Sequence, residues 1–406
     1  MEEDACRRAL TPHDCRLRDC TYAAPISVDV EYTRGKELVS RCGANGRGGI
    51  LIGRLPLMLR SSRCVLAGKS EAELARLGEC PLDPGGYFIV RGTEKVVLIQ
   101  EQLSKNRIIL DLDAKGCVCA SVTSSTHERK SKTHITARGG RLYLRHNTLG
   151  DDVPLCIVLR AMGLVCSQEF VALVGGGEDV SHLLAPSIGE AAAAGCHTQQ
   201  QALDWVGARV RLPKGGAAAA VAAAAAASVT AFGSSAGSRV RRSRGDEARD
   251  VLAGVVLAHV PVERYDFTAK TQYVCTMAAR VLAAQADPFQ LDDKDYYGNK
   301  RLELAGQLLG LLFEDLFKRL NAELRRAADV GLSRASKAGS FDVLKHIRQD
   351  TITNGLEHAL ASGNWTVKRF RMDRKGVTQV LSRLSFISAL GMMTRISAST
   401  ICLCGR

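Results

Sequence analysis

The chain contains 406 residues with a mass of 43.7 kDa, of which 46% are hydrophobic and 24% charged. These proportions are typical of a globular protein with two or three domains, and they exclude a wholly disordered, collagen-like or membrane class. The 55 Lys and Arg residues exceed the 42 Asp and Glu residues, which gives a formal net charge of +13 and a pI near 9.2. Polyanions are therefore the first class of partner to consider.

The fourteen cysteines are spread along the whole chain. They lack the framework of a small disulfide-rich domain, and no signal-peptide core precedes them, so a reducing compartment is favoured. The closest pairs, Cys117 with Cys119 and Cys402 with Cys404, are separated by one residue, whereas zinc ligands are usually two or more residues apart. We accordingly predict no metal site. The alanine tract at 217–227 is too short and too weakly hydrophobic to span a bilayer, so no membrane partner is expected.

The first part of the chain has the alternating pattern of β-strands. Two apolar runs flank a glycine-containing turn between Gly86 and Gln100, and two further runs follow between Arg107 and Thr123. Residues 132–146 alternate polar and apolar side chains on both sides of Gly139-Gly140, a pair that readily adopts the positive φ angles of a tight hairpin turn. A β-rich domain is predicted up to about residue 146.

Beyond Pro154 the apolar residues recur at helical spacing in four successive segments. The alanine-, glycine- and arginine-rich stretch at 215–245 offers too little apolar surface for a packed core, and we predict a disordered surface insertion there. The strongest helical pattern begins after Asn299 as its N-cap, and two more cover residues 341–363 and 377–393. Strands followed by helices predict an α+β fold.

Two motifs suggest phosphate or metal chemistry but have simpler structural explanations. Gly68-Lys69-Ser70 matches the end of a phosphate-binding loop, but Arg63 stands where that loop needs its first glycine. The acidic segment 291–295 would suit a magnesium ion, yet cationic residues interleave with it, and the helix dipole alone favours acids ahead of a helix. No catalytic triad can be assigned from single residues without geometry, so no catalytic residue is predicted.

The last tenth of the chain is strongly basic. From Trp365 to Arg406 there are eight Lys and Arg residues and one acid, a net charge of +7 that is about half the total. Up to Gly376 the cations are interleaved with Trp365 and Phe370, a combination typical of loops that meet phosphates and stack on bases. We predict nucleic-acid contact by this segment, with a solvated basic loop as the alternative.

Five long segments resemble one protein family, in the right order: residues 13–35, 52–66, 80–108, 293–309 and 376–397. Three of them contain CPLDPGGYFIVRGTEKVVLIQ, DKDYYGNKRLELAGQLL and GVTQVLSRLSFISALGMMTRIS. They closely resemble the second-largest subunit of multisubunit DNA-directed RNA polymerase, most of all its eukaryotic RNA polymerase III form.

The resemblance implies a β-rich protrusion domain, interrupted by a mainly helical lobe and followed by the start of a fork. The implied bounds are 1–153 for the first part of the protrusion, 154–300 for the lobe with its insertion at 215–245, 301–360 for the second part of the protrusion, and 361–406 for a partial fork. The residues after Ser397 depart from the family pattern. We interpret them as an aberrant tail on a truncated product or a fragmentary gene model.

The resemblance also implies a function, that of one wall of the DNA cleft in a nuclear nucleotidyltransferase. The implied partners are DNA, the RNA–DNA hybrid, the largest polymerase subunit and the other subunits. Magnesium in the intact polymerase and zinc in its C-terminal part would be held elsewhere, so these residues are expected to bind no cofactor and to be inactive alone.

The family pattern places eight residues of the fork against nucleic acid. These are Lys368, Arg369, Arg371, Arg374 and Lys375 on the first fork loop, Gln379 and Arg383 on the following helix, and Arg395 at the second fork loop. Cations there would offset the repulsion between phosphates where the strands separate. For Gln379 and Arg383 the alternative is pairing within the fork itself.

Two readings from other functional classes stay open at this point. One is a stand-alone nucleic-acid-binding or assembly protein that has the protrusion and lobe but no catalysis. The other is a non-functional truncated product. A transcript that continues past Ser397 into further segments of the family would establish a fragmentary gene model, whereas a genuine stop would favour the other two.

Overall fold

The computed structural model describes residues 10–34, 37–41, 49–211, 243–333, 343–367, 370 and 372–398. The chain divides into two compact units. The first consists of Met1–Gln102 and Lys300–Arg406, and the second of Leu103–Asn299. Helices are combined with several small, mostly antiparallel sheets, which confirms the predicted α+β class.

The first pass through the first unit consists mainly of short strands. Its elements are α1 (Pro12–Leu17), β1 (Ala23–Val28), β2 (Val30–Arg34), β3 (Glu37–Arg41), β4 (Ile50–Pro56), α2 (Glu71–Arg76), β5 (Phe88–Val90), β6 (Thr93–Val97) and β7 (Ile99–Leu103). Strand β1 pairs with β4, β2 with β3, and β5 with β6, all antiparallel. The β5–β6 hairpin turns at Arg91 and Gly92, both with positive φ, as the glycine-containing turn predicts.

The second unit is a five-stranded antiparallel sheet followed by helices. Its elements are β8 (Ile108–Leu112), β9 (Val118–Ser125), β10 (Lys130–Arg138), β11 (Arg141–His146), β12 (Val153–Pro154), α3 (Leu155–Ala161), α4 (Ser167–Val174), α5 (Glu178–Ala193), α6 (Gln199–Gly207), α7 (Arg244–Gly254) and α8 (Thr268–Ala286). The strands lie in sequence order from β12 to β8. The predicted hairpin turn at Gly139 and Gly140 is confirmed, with φ of 54° and 72°.

One apolar core holds the second unit together. It joins inward residues of the sheet such as Ile135 and Leu144 to the helices through Ile157, Leu203 and Val281, all 0% exposed. Burial of such side chains is the main stabilising contribution to a domain of this size. The sheet and the helices are therefore parts of one folded body.

The chain then returns to the first unit. The returning elements are β13 (Lys300–Glu303), α9 (Ala305–Leu332), α10 (Asp350–Ser362), β14 (Trp365–Val367), β15 (Met372–Arg374), β16 (Thr378–Val380), α11 (Phe386–Met393) and β17 (Ile396–Ala398). Strands β13 and β17 flank β7, and β16 adds to the β5–β6 hairpin. The leucines of α9 at 308, 312, 316 and 320 are buried against α10 and the strands.

The long helix begins later than its sequence pattern predicts. Residues 300–303 form β13, because their backbone pairs with β7, and Leu302 is half exposed. Asn299 does not cap the helix, since its Nδ2 donates to the carbonyl of Asp293 at 2.7 Å. The prediction that residues 377–393 form one helix is also wrong: residues 378–380 form β16, and only 386–393 are helical.

Two more segments differ from their predicted form. In the segment 341–363, whose first two residues lie outside the description, the α-helix spans only Asp350–Ser362 and ends at Gly363 in the left-handed conformation. Residues 215–242 of the predicted insertion also lie outside the description. Its last residues are ordered, because Ser243 caps α7 and Gly245 is buried. The prediction of disorder is therefore wrong for residues 243–245.

The junction predicted at residue 153 does not coincide with a boundary between compact units. Strand β12 at that point is paired with β11 inside the second unit. The junction predicted at residue 300 coincides with the return to the first unit. The assignment of these parts to protrusion, lobe and fork stays a prediction. Among the described helices, none is both long and apolar enough to cross a membrane.

Candidate nucleic-acid interface

The basic segment predicted to meet nucleic acid is built on the β14–β15 hairpin. Trp365 lies opposite Arg374, and Val367 opposite Met372. Trp365 and Val367 point into the core of the first unit. Lys368, Arg369 and Arg371 lie outside the described residues, so their placement stays a prediction.

The aromatic residues of this segment do not form a stacking surface for bases. Trp365 is 0% exposed, and its indole Nε1 donates to Thr378 Oγ1 at 3.1 Å. Phe370 is half-buried and packs against the same core. The predicted base-stacking role is therefore wrong for Trp365, because it lies on the buried face of β14.

Arg374 is bound by a carboxylate of its own unit. Its Nη1 lies 3.2 Å from Glu303 Oε2, and both side chains are mostly buried. The same oxygen accepts a hydrogen bond from Gln102 Nε2. Arg374 therefore links β15 to β13 and has little surface left for a phosphate.

Lys375 and Arg395 are placed differently from Arg374. Both are exposed, and neither has an ion pair or hydrogen bond within the described part of the chain. Lys375 follows β15, and Arg395 immediately precedes β17. Gln379 was predicted on a helix but lies in β16, half-buried and opposite Val96 of β6. Lys375 and Arg395 are thus the described cations best exposed to an anionic ligand.

Arg383 lies in a dense cluster of charged groups. Its Nε is 2.6 Å from Glu94 Oε2, and its Nη2 is 3.0 Å from both Glu94 Oε1 and Asp83 Oδ2. The guanidinium also lies 5.1 Å from the centre of the Tyr87 ring. Arg383 thus pairs within its own unit, but its partners lie at residues 83 and 94, outside the predicted fork, so the alternative of pairing within the fork is not met. It lies in the loop between β16 and α11 and not on a helix as predicted.

A second arginine completes this arrangement. Arg16 contacts Glu79 at 2.7 Å and Glu94 at 2.8 Å, and its Nη2 lies 2.9 Å from the Tyr87 hydroxyl oxygen. The Tyr87 hydroxyl donates to Asp83 Oδ2 at 2.7 Å. We call the six residues Arg16, Glu79, Asp83, Tyr87, Glu94 and Arg383 the Arg383 cluster.

The protonation states in the Arg383 cluster follow from these contacts. The hydrogen bond to Glu94 raises the pKa of Arg383 above its ordinary value despite the burial that opposes it. Burial would raise the pKa of Asp83, but hydrogen bonds from Gly85 N–H, Tyr87 and Arg383 hold it below its usual range. Burial, and then the bond to Asp83, raise the pKa of Tyr87, so its hydroxyl keeps its proton.

Sequence reasoning missed five of the six residues in the Arg383 cluster. Arg383 is separated from Glu94 by 289 positions along the chain, and no local periodicity connects residues so far apart. The stretch 80–94 stands out in the sequence only because it resembles a family. Its acids give no signal of their own, since their partners come from α1 and from the segment after β16.

The acidic segment 291–295 does not lie ahead of the long helix as predicted, because β13 comes between them; it forms ion pairs within the second unit. Asp292 pairs with Arg280 at 3.3 Å and accepts from the backbone N–H of Leu110, while Lys294 pairs with Asp111. In the ranges that the structure describes, no three His, Cys, Asp or Glu residues come together as a metal site would require.

Comparison with known proteins gives consistent matches. The sequence pattern of the RNA polymerase beta subunit family matches residues 1–354. DNA-directed RNA polymerase III subunits from Dictyostelium discoideum and Schizosaccharomyces pombe are 51% and 52% identical over 96% and 98% of this chain. DNA-directed RNA polymerase II subunit 2 of Arabidopsis thaliana is 32% identical over 98% of it. The chain spans 23%, 32% and 33% of the lengths of these relatives.

Proposed function

The chain belongs to the RNA polymerase beta subunit family, and on that premise we propose that it acts as part of the second-largest subunit of a DNA-directed RNA polymerase of the RNA polymerase III type. The observation that carries this proposal is the identity of 51–52% to RNA polymerase III subunits over nearly the whole chain. The RNA polymerase II relative, at 32%, is markedly more distant. The relatives named above are polymerase subunits, and they lend no support to a stand-alone binding protein or a non-functional product.

The proposed role in catalysis is indirect. The polymerase joins nucleotides by attack of the RNA 3′ hydroxyl on an α-phosphate, and the magnesium that it needs would be held outside these residues. The zinc of the intact enzyme would likewise be held outside these residues, in its C-terminal part. We therefore assign no catalytic residue to this chain, and we place its work in the nucleus, beside the largest subunit and other polymerase subunits.

What this chain contributes is a set of cations near the nucleic acid. The segment after Trp365 carries a net charge of +7. Lys375 and Arg395 are its described cations that are exposed and make no ion pair with described residues, and Lys368, Arg369 and Arg371 are proposed with them on sequence grounds. Contacts of this kind bind the phosphate backbone without reading sequence. They would support the edge of the melted DNA.

A chimeric polymerase tests the proposed function. Residues 10–398 replace the aligned segment of the Schizosaccharomyces pombe subunit, and the assembled enzyme is assayed for RNA synthesis on a pre-melted scaffold. We expect activity close to that of the parent. A matched chimera carrying Gly355→Leu should fail to assemble, since a Cβ at Gly355 would lie 2.5 Å from Leu316 Cδ2. An assembled chimera that makes no RNA would contradict the proposal.

A further inference from the structure

We propose that Arg383 is a positioning residue, which fastens the segment carrying α11 to the β5–β6 hairpin, and that it is not itself a phosphate ligand. This inference rests on the proposed function, because it assigns a role to one of the cations implied in nucleic-acid contact. It differs from the family expectation in the partner that Arg383 binds.

The geometry of the guanidinium is that of a completed ion pair. Two of its nitrogens face the two oxygens of Glu94, the paired arrangement in which arginine binds a carboxylate most strongly. One of them also contacts Asp83. A phosphate oxygen at these nitrogens would have to displace a carboxylate, and the side chain would leave the Tyr87 ring on which it rests.

The surroundings of Arg383 are unsuited to an anion. The Arg383 cluster has three carboxylates and two guanidinium groups, a formal charge of −1 with Tyr87 neutral. Like charges within a few ångströms repel more strongly where water is partly excluded. The cluster therefore stabilises Arg383 where it is and repels phosphate.

Arg383 lies in the short segment that connects the end of β16 to the start of α11. Two residues earlier, the N–H of Leu381 donates to the carbonyl of Glu94 at 2.9 Å, the last backbone bond of β16 to the hairpin. Two residues later, Ser385 caps α11. Of the eight residues in α11, only Ala389 is buried. Met392 and Met393, near the end of the helix, are partly buried against the same core, and the ion pair adds an attachment ahead of its first turn.

The consequence concerns Arg395 rather than Arg383. Helix α11 lies between the Arg383 cluster and β17, with the exposed Arg395 just before that strand. The Arg383 cluster holds the start of α11, and the pairing of β17 with β7 holds the chain after its end. Together they fix the position of Arg395. Arg383 acts through this placement.

Hydrogen exchange measured by mass spectrometry on the whole chain tests the fastening. In both Arg383→Gln and Glu94→Gln, we expect the amides of residues 386–393 to exchange roughly tenfold faster, the effect of losing one charged hydrogen-bonded pair. The double variant should exchange no faster than either single one, because both changes remove the same interaction. Arg383→Lys keeps the charge but loses the paired geometry, so it should restore protection only partly.

Binding of a short duplex DNA at several salt concentrations separates the two roles. If Arg383 is a positioning residue, Arg383→Gln and Glu94→Gln weaken binding to a similar extent, because each loosens the segment that carries Arg395. If it is a phosphate ligand, the slope falls by about 0.9 and Glu94→Gln tightens binding by releasing it. Tighter binding in Glu94→Gln together with a lower slope in Arg383→Gln would overturn the inference. So would an exchange rate in the double variant that adds the effects of the two single variants.

Two controls keep the outcomes distinct. Arg91→Gln removes another ion pair of the first unit, that with Glu357 at 2.8 Å, and should leave the exchange of α11 unchanged. If the unaltered chain binds no DNA, the proposed nucleic-acid contact fails, while the exchange experiment still decides whether Arg383 fastens α11. Faster exchange in Arg91→Gln as well would show general loosening and overturn the specific role.

Discussion

Lys270 shows how one buried cation can organise a domain. The residue is 0% exposed, and its Nζ donates to the carbonyls of Leu252, Ala253 and Val256, each at 2.7 Å. These carbonyls lie at and just beyond the end of α7, where backbone acceptors lack partners within the helix. Lys270, on α8, therefore joins two helices of the second unit through the main chain.

We expect Lys270→Met to reduce the free energy of unfolding by about 2–4 kcal/mol, since three buried carbonyls lose their donor. Burial lowers the pKa of Lys270 to about 7. Above that pH the unfolded chain still binds a proton that the folded protein has released. Stability rises with pH wherever the unfolded state binds more protons, so this group makes the stability of the unaltered protein increase as pH rises. In denaturant titrations between about pH 7 and pH 9, the difference in free energy of unfolding between the unaltered protein and Lys270→Met should increase with pH. A constant difference would contradict the lowered pKa.

The end of α10 shows how one element sets the position of the next. Gly363 ends the helix with φ of 72°, and its carbonyl accepts from the N–H of Val377 at 3.2 Å. A Cβ at this position would lie 2.8 Å from the carbonyl oxygen of Thr378. The helix end and β16 therefore approach so closely that only glycine fits between them.

We expect Gly363→Ala to destabilise the protein by about 2–4 kcal/mol, of which about 1 kcal/mol comes from the left-handed backbone and the rest from the contact with Thr378. Gly376 is the matched control. It has φ of 70° and no atom within 4 Å of its Cβ position, so Gly376→Ala should cost only the backbone contribution. Equal losses of stability in thermal unfolding would show that the contact with Thr378 costs nothing.

The segment between α6 and α7 should be replaceable. A Cβ at Gly207 would lie 2.3 Å from the carbonyl oxygen of Arg244, so the two helices come together close to where the segment leaves and returns. Loop closure entropy changes slowly with length. Replacing residues 215–242 by a short Gly-Ser linker should leave the melting temperature within a few degrees. Extending the deletion through Gly245 is the contrast, because it removes the buried start of α7 and should lower the melting temperature clearly.

At the scale of the whole molecule, charge gives a test of nucleic-acid contact. We expect the chain to bind duplex DNA without sequence preference. Changing Lys368, Arg369, Arg371 and Lys375 to serine should reduce the salt slope by about 0.9 for each phosphate that is no longer neutralised. Arg374 is left in place because it pairs with Glu303. The control variant changes four exposed cations elsewhere, Arg63, Arg76, Lys115 and Arg264, to serine and removes the same total charge. An equal reduction of the salt slope in this variant would show that net charge alone, and not the basic segment, determines DNA binding.

The sequence predicts features that depend on neighbouring residues and misses those that depend on distant ones. The hairpin at Gly139 and Gly140 follows from its two glycines. Residues 300–303 carry a helical pattern yet form β13, because their partner β7 lies some two hundred residues earlier. Arg383 is identified by resemblance, but its binding by Glu94 and Asp83 is a tertiary contact that no local pattern encodes.

The division of the first unit between two ends of the chain has a consequence for synthesis on the ribosome. The second unit is complete once residue 299 has emerged. Strands β6 and β7 of the first unit can pair with β16 and β17 only after residues 378–398 have been synthesised. At 5–20 residues per second, about a hundred further residues take roughly 5–20 s. During that time the first hundred residues present unpaired strand edges, to which chaperones and other nascent chains have access.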